Sequence, residues 1–112
     1  MSRVTFGGLN TMWLVVMFDL PMVTPEEKHD YAHFRKHLLD DGFMMMQYSV
    51  YMRHCASDEN AGVHSQRVKN WLPPNGEVRM MRLTDKQFGK IEVFYGRLTF
   101  EIEPPPQQLQ LF

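Results

Sequence analysis

This chain has very little cysteine: Cys55 stands alone among its 112 residues. A lone cysteine cannot form an intrachain disulfide, which excludes a disulfide-stapled secreted scaffold and fits a reducing cytoplasm. No apolar run approaches the length of a membrane span, and no basic-then-apolar leader opens the chain. No membrane partner is therefore expected. Repeats and low-complexity tracts are also missing. Excess charge of either sign is lacking, since the formal net charge is -1, so a nucleic-acid coat on every side is excluded. The charges are uneven, however. Arg67, Lys69, Arg79, Arg82, Lys86, Lys90 and Arg97 crowd one stretch against Glu77, Asp85 and Glu92, enough to make one basic face. The length suits one domain over 1–112, with 1–11 as an N-terminal extension and 97–112 as a C-terminal strand and tail for partner contacts.

What is present begins with Trp13-Leu14-Val15-Val16-Met17-Phe18-Asp19-Leu20-Pro21. Such a run reads as a strand covered on both faces, and Pro21, which has no N–H, ends it. Asp19 is expected nearly buried at the strand's end, where desolvation demands a cation, a metal or donor groups. It reads either as a hard-cation ligand or as a cap on the following turn.

Thr24-Pro25-Glu26-Glu27 is a capping box with proline at the first helical position, and Gly42 supplies the stop. Tyr31, Phe34 and Leu38 share the helix's apolar face. Arg35 falls inside that apolar arc with Lys28 nearly in line. It either snorkels along the helix edge or contacts phosphate with its neighbour. His29, His33 and His37 repeat every four residues on the opposite face, which reads as a solvated surface rather than a metal site.

Phe43 to Arg53 alternates, giving one strand with Met44, Met46, Tyr48, Val50 and Met52 on one side. Gln47, Ser49, Tyr51 and Arg53 form its polar side, directed toward a partner, where they line a wet cleft or make interface hydrogen bonds. Ser57 or Asp58 caps a second helix carrying Val63, Val68, Trp71 and Leu72, ended by Pro73-Pro74. Strands are expected over Glu77–Leu83, Ile91–Tyr95 and a fifth through Leu98, Phe100 and Ile102, with Thr84–Gly89 as a connection. Cys55 beside His54 has no orienting acid placed by the sequence, so it is read as an ordinary thiol rather than a nucleophile.

The expected fold is α+β: a ferredoxin-like β-α-β-α-β-β sandwich with an extra C-terminal strand and both helices on one sheet face. The other face then needs cover, and a two-fold homodimer is the simplest source.

Several blocks resemble one known family. They are Met12 to Pro21, Tyr31 to Leu39, Gly42 to Tyr51, Thr84-Asp85-Lys86-Gln87-Phe88-Gly89, and the closing Gln108-Leu109-Gln110-Leu111-Phe112. Together they are similar to the CRISPR-associated Cas-two family, its type II branch in particular. The resemblance implies a ferredoxin-like homodimer that serves CRISPR adaptation, bridging dimers of the Cas-one integrase and holding double-stranded prespacer DNA, with the branch's effector as a further partner. It also implies a metal-dependent endonuclease class, acting on RNA or DNA, with Asp19 as catalytic residue and Mg²⁺ ligand. Duplex phosphates would meet Lys28, Arg35, Lys36, Arg53 and Arg97, while Gln47, Ser49 and Tyr51 would serve the dimer or its cleft.

Overall fold

The computed structural model describes residues 11–96. Its elements run β1 (Met12–Asp19), α1 (Pro25–Asp40), β2 (Met44–Gln47), β3 (Val50–Cys55), α2 (Asp58–Asn70), β4 (Glu77–Thr84) and α3 (Asp85–Phe88). The four strands form one sheet in the order β2-β3-β1-β4, and each neighbouring pair is antiparallel. This β-α-β-β-α-β order with a split pairing is the ferredoxin-like arrangement.

β1 forms as a central strand because its run satisfies both sides. Leu14, Val16 and Phe18 enter the core, while Trp13, Val15, Met17 and Asp19 take the alternate face. Against the first set pack Tyr31, Phe34 and Leu38 of α1, Tyr51 and Cys55 of β3, and Ala61 and Val68 of α2. Phe18 is the hub, with ring centroids 5.1 Å from Phe34 edge-on and 5.7 Å from Tyr51.

α1 starts as the capping box requires. The Thr24 hydroxyl accepts from the Glu27 N–H at 3.1 Å, and the Glu27 carboxylate accepts from the Thr24 and Val23 N–H groups at 3.0 Å. Those backbone donors, Thr24 first, hold the Glu27 carboxyl below its ordinary range. The helix is capped by Asp41, and Gly42 takes φ +94°, a left-handed turn that sends the chain back into β2.

Four local expectations change. The single strand over Phe43–Arg53 is a hairpin: Gln47 pairs with Val50 across a Tyr48–Ser49 turn, and the register shifts between Met45 and Gln47. Ser49, the second residue of that turn, takes a positive φ (63°) without the glycine or asparagine that would have signalled it. The bulge and the turn offset each other, so Met44, Val50 and Met52 still alternate with Tyr51 and Arg53, but the face turned to the helices is the opposite of the one expected. Tyr51 and Cys55 point to the helices, and Met44 and Met52 share the bare face with Val15. In α2 the inward stripe is Ala61, His64 and Val68, while Val63 and Leu72 are exposed. Thr84–Gly89 folds as the short α3, with its own capping box from Thr84 and Gln87. Among the described residues no strand forms over 91–95, where the sequence led to the expectation of one across Ile91–Tyr95. The fifth strand, and the N-terminal extension except for Thr11, lie outside the described residues.

Both main helices cover one sheet face. On the other, Met44, Met52, Val15 and Met81 stand in register as one apolar row across all four strands.

Candidate active site at the end of the central strand

Asp19 is the last residue of β1, on the sheet face opposite α1 and α2. The expectation of near-burial is corrected: Asp19 is exposed, because the core-directed positions are its neighbours Phe18 and Leu20. Its carboxylate has no hydrogen-bond or ion-pair partner among the described residues, so it does not cap the following turn.

Antiparallel pairing with β4 sets Asp19 directly opposite Glu77, and Met17 opposite Arg79. Residues two apart on a strand share a face, so Glu77 and Arg79 stand on the same side as Asp19. Their side chains meet, Arg79 Nη2 lying 3.2 Å from Glu77 Oε2. The Tyr48–Ser49 turn forms the opposite wall, held down by the Phe18 N–H donating to the Ser49 carbonyl at 3.0 Å. Tyr31 Oη and Ser49 Oγ, 3.0 Å apart, add a second tie. The result is an open cleft of about 220 Å³ lined by Met17, Phe18, Asp19, Tyr48, Ser49, Val50, Glu77 and Arg79.

Among the described residues, no group of three or more His, Cys, Asp and Glu side chains converges to hold a metal. Asp19 is the free carboxylate of the cleft, and Glu77 is engaged by Arg79. One or two carboxylates suffice for Mg²⁺ when waters and phosphate oxygens complete the shell, so Asp19 fits as a single protein ligand. No histidine or lysine lines the cleft as a proton acceptor.

The expected phosphate contacts do not gather around Asp19. Lys28 and Lys36 are exposed on α1, and Lys36 pairs with Asp40 at 2.7 Å. Arg35 is exposed, with its Nε donating to the Tyr51 hydroxyl at 2.7 Å. Arg53 is half-buried and donates to the Asp41 carbonyl at 2.7 Å and the His54 carbonyl at 2.8 Å. Its guanidinium thus closes the end of α1 onto β3. Arg97 lies outside the described residues. Gln47 is exposed and Ser49 lines the cleft, but Tyr51 is in the core at 1% exposure. Placing Tyr51 on the polar partner side is therefore corrected. Alternation sets Tyr51 apart from Met52 as expected, but it is the Tyr51 side, not the methionine side, that meets the helices.

Sequence reading missed Glu77 and Arg79, since only the β1–β4 register reveals them. It also missed Asp41, which accepts from Arg67 at 2.5 Å and meets His64 Nδ1 at 2.6 Å. That carboxylate, only 8% exposed, ties α2 to the end of α1 and is structural. At the far end of the bare face, Trp13 is stacked on Phe88 at 3.9 Å. Its indole N–H donates to Asp85 at 2.8 Å, and Thr11 and His54 approach the same carboxylate. The Thr11 hydrogen bond leads the causes that hold the Asp85 carboxyl below its ordinary range.

No helix among the described residues is long and apolar enough to cross a membrane. Comparison with known proteins supplies the family. The family model described as CRISPR associated protein Cas2 matches residues 12–91. A Parvibaculum lavamentivorans protein named CRISPR-associated endoribonuclease Cas2 is 55% identical over 101 residues, covering 90% of this chain and all of that one. A protein of the same name from Flavobacterium psychrophilum is 52% identical over 102 residues, covering 91% and 89% respectively. A solved structure described as a crystal structure of Cas2 superposes with a TM-score of 0.54 at 18% identity, over 84% of this chain and 97% of that one, which supports the fold. The chain belongs to the CRISPR-associated Cas2 family.

Proposed function

We propose that this protein acts in CRISPR adaptation as a homodimeric scaffold, bridging Cas-one integrase dimers and gripping duplex DNA through its phosphates. The observation that carries the reading is the bare sheet face. Met44 and Met81, 55% and 44% exposed, end an apolar row through Met52 and the already buried Val15, which a second copy would cover well. Bridging needs such a two-fold body and no chemistry. The exposed cations of α1, Lys28, Arg35 and Lys36, with Arg53 and Arg97, would supply nonspecific phosphate contacts, and binding would weaken steeply with salt.

The second reading is a metal-dependent endonuclease, and a specific observation favours it: Asp19 presents an unpaired carboxylate to an open cleft. The printed names of the relatives, endoribonuclease, point the same way. Asp19, from each subunit, would hold Mg²⁺. The ion when bound would activate water and offset charge on the scissile phosphate. The chain's own part is to keep Asp19 free and the Ser49 wall fixed.

Asp19→Asn separates the two readings. It is assayed for Mg²⁺-dependent cleavage of RNA and DNA, and for spacer integration with the integrase partner. Lost cleavage with intact integration supports the scaffold. Loss of both in a variant that still dimerises refutes it.

A further inference from the structure

The Asp19 cleft contains one cation, and its placement has a use. Arg79 stands opposite Met17 and shares a cleft with Asp19, yet its partner is Glu77, which is itself directly opposite Asp19. The Arg79–Glu77 pair is a surface pair, with side chains 70% and 64% exposed, so it is weak and readily exchanged. A guanidinium binds phosphate oxygens in the same two-pronged way that it binds a carboxylate. The cleft, at about 220 Å³, is smaller than a drug-sized pocket and suits one phosphate group with its flanking oxygens.

We infer that Arg79 is the phosphate-binding residue of the Asp19 cleft, taking an internal phosphodiester of a nucleic-acid strand, and that Glu77 is the internal competitor that occupies Arg79 until the strand arrives. This places a contact on the sheet face, apart from the cations of α1. Asp19 and Glu77 both face the incoming anion and repel it, so exchange at Arg79 decides whether it binds. The inference rests on the proposed reading that this chain binds nucleic acid, while its test needs neither an ion nor an integrase.

The test is binding of a fluorescent 12-nucleotide single strand lacking terminal phosphates to the full chain, in EDTA, by anisotropy across a salt series. Arg79→Ala should weaken binding about tenfold, the worth of one charged hydrogen-bonded contact, and lower the salt slope by about 0.7. Arg79→Lys, which keeps the charge and loses the fork, should fall between. Glu77→Gln should tighten binding several-fold, and that gain should vanish in the Arg79→Ala background. Circular dichroism confirms that each variant is folded. Binding by Arg79→Ala equal to the parent overturns the assignment. So does a Glu77→Gln gain of equal size with and without Arg79, which would reflect net charge only. A loss confined to a 5′-phosphorylated strand overturns the internal phosphodiester.

Discussion

Arg35 and Tyr51 are joined by one hydrogen bond whose two ends lie in different surroundings. Tyr51 is 1% exposed, whereas Arg35 sits on the outer part of α1 and reaches in with its Nε, 2.7 Å from the phenol oxygen. Removing each partner therefore costs differently. Tyr51→Phe leaves an exposed guanidinium that water can serve, so the loss is the net worth of the bond, about 1 kcal/mol. Arg35→Met keeps the apolar stem but leaves a buried phenol without its donor, which costs about 2 kcal/mol, with 1–3 the ordinary range. In a domain this size the difference of roughly 1 kcal/mol separates the two melting temperatures by about 4–8 °C. Urea unfolding at matched protomer concentration gives the comparison free of any association effect. Tyr51→Phe proving the more damaging would refute the reasoning, because it would mean that the arginine, not the phenol, is the dehydrated end. The result also bears on DNA binding. Any loss in Arg35→Met is a phosphate effect only where the variant is fully folded.

Other outcomes follow from the same geometry. Met81→Glu, at a position 44% exposed, should leave the fold intact yet convert a dimer to monomers in sedimentation equilibrium; an unchanged dimer would place the interface elsewhere. Cys55 is fully buried and burial raises its thiol pKa, so it should resist a disulfide reagent at pH 8 and react on unfolding in urea. Rapid labelling of the native chain would contradict that burial. Asp85 has a folded pKa below the ordinary 3.8, so it adds stability above that value which is lost as pH falls through the lower one. Asp85→Asn should thus flatten the acid limb of the urea midpoint below about pH 3.8, and an unaltered limb would show that Thr11, Trp13 and His54 do not act through its charge.

Much of this molecule is legible in one dimension where a local rule acts without rival. The capping box at Thr24, the inward stripe of Tyr31, Phe34 and Leu38, and the central apolar strand are of this kind. The sequence also marked Asp19 as unusual, although on the wrong physical ground, since the residue is exposed rather than desolvated. The Tyr48–Ser49 turn was hidden because a serine adopts the positive φ, with its carbonyl and hydroxyl held by Phe18 and Tyr31 from distant positions. Tyr51 reads as a surface residue because the methionines read as the core face, whereas Tyr51 and Cys55 are the side chains that meet the helices. Ala61 and His64 were passed over in favour of larger apolar neighbours, because α2 packs closely through a small residue and a histidine answered by Asp41. The partners of the Asp19 cleft are set by strand register, which no local pattern encodes.

The position of β1 also governs the order in which the molecule can be completed. It is the first described strand to be synthesised, yet it lies in the middle of the sheet, with β3 on one side and β4 on the other. Until β4 has left the ribosome, β1 has an open edge, and the apolar residues beside it have no strand to lie against. The loops that must close to seat β3 and β4 are long, so the entropy of closing them falls due before most of the contacts form. A nascent chain halted before Glu77 would thus carry helices and a hairpin but only part of its sheet, and the Asp19 cleft would lack the wall that β4 provides. The site can come into being only when the last described strand docks.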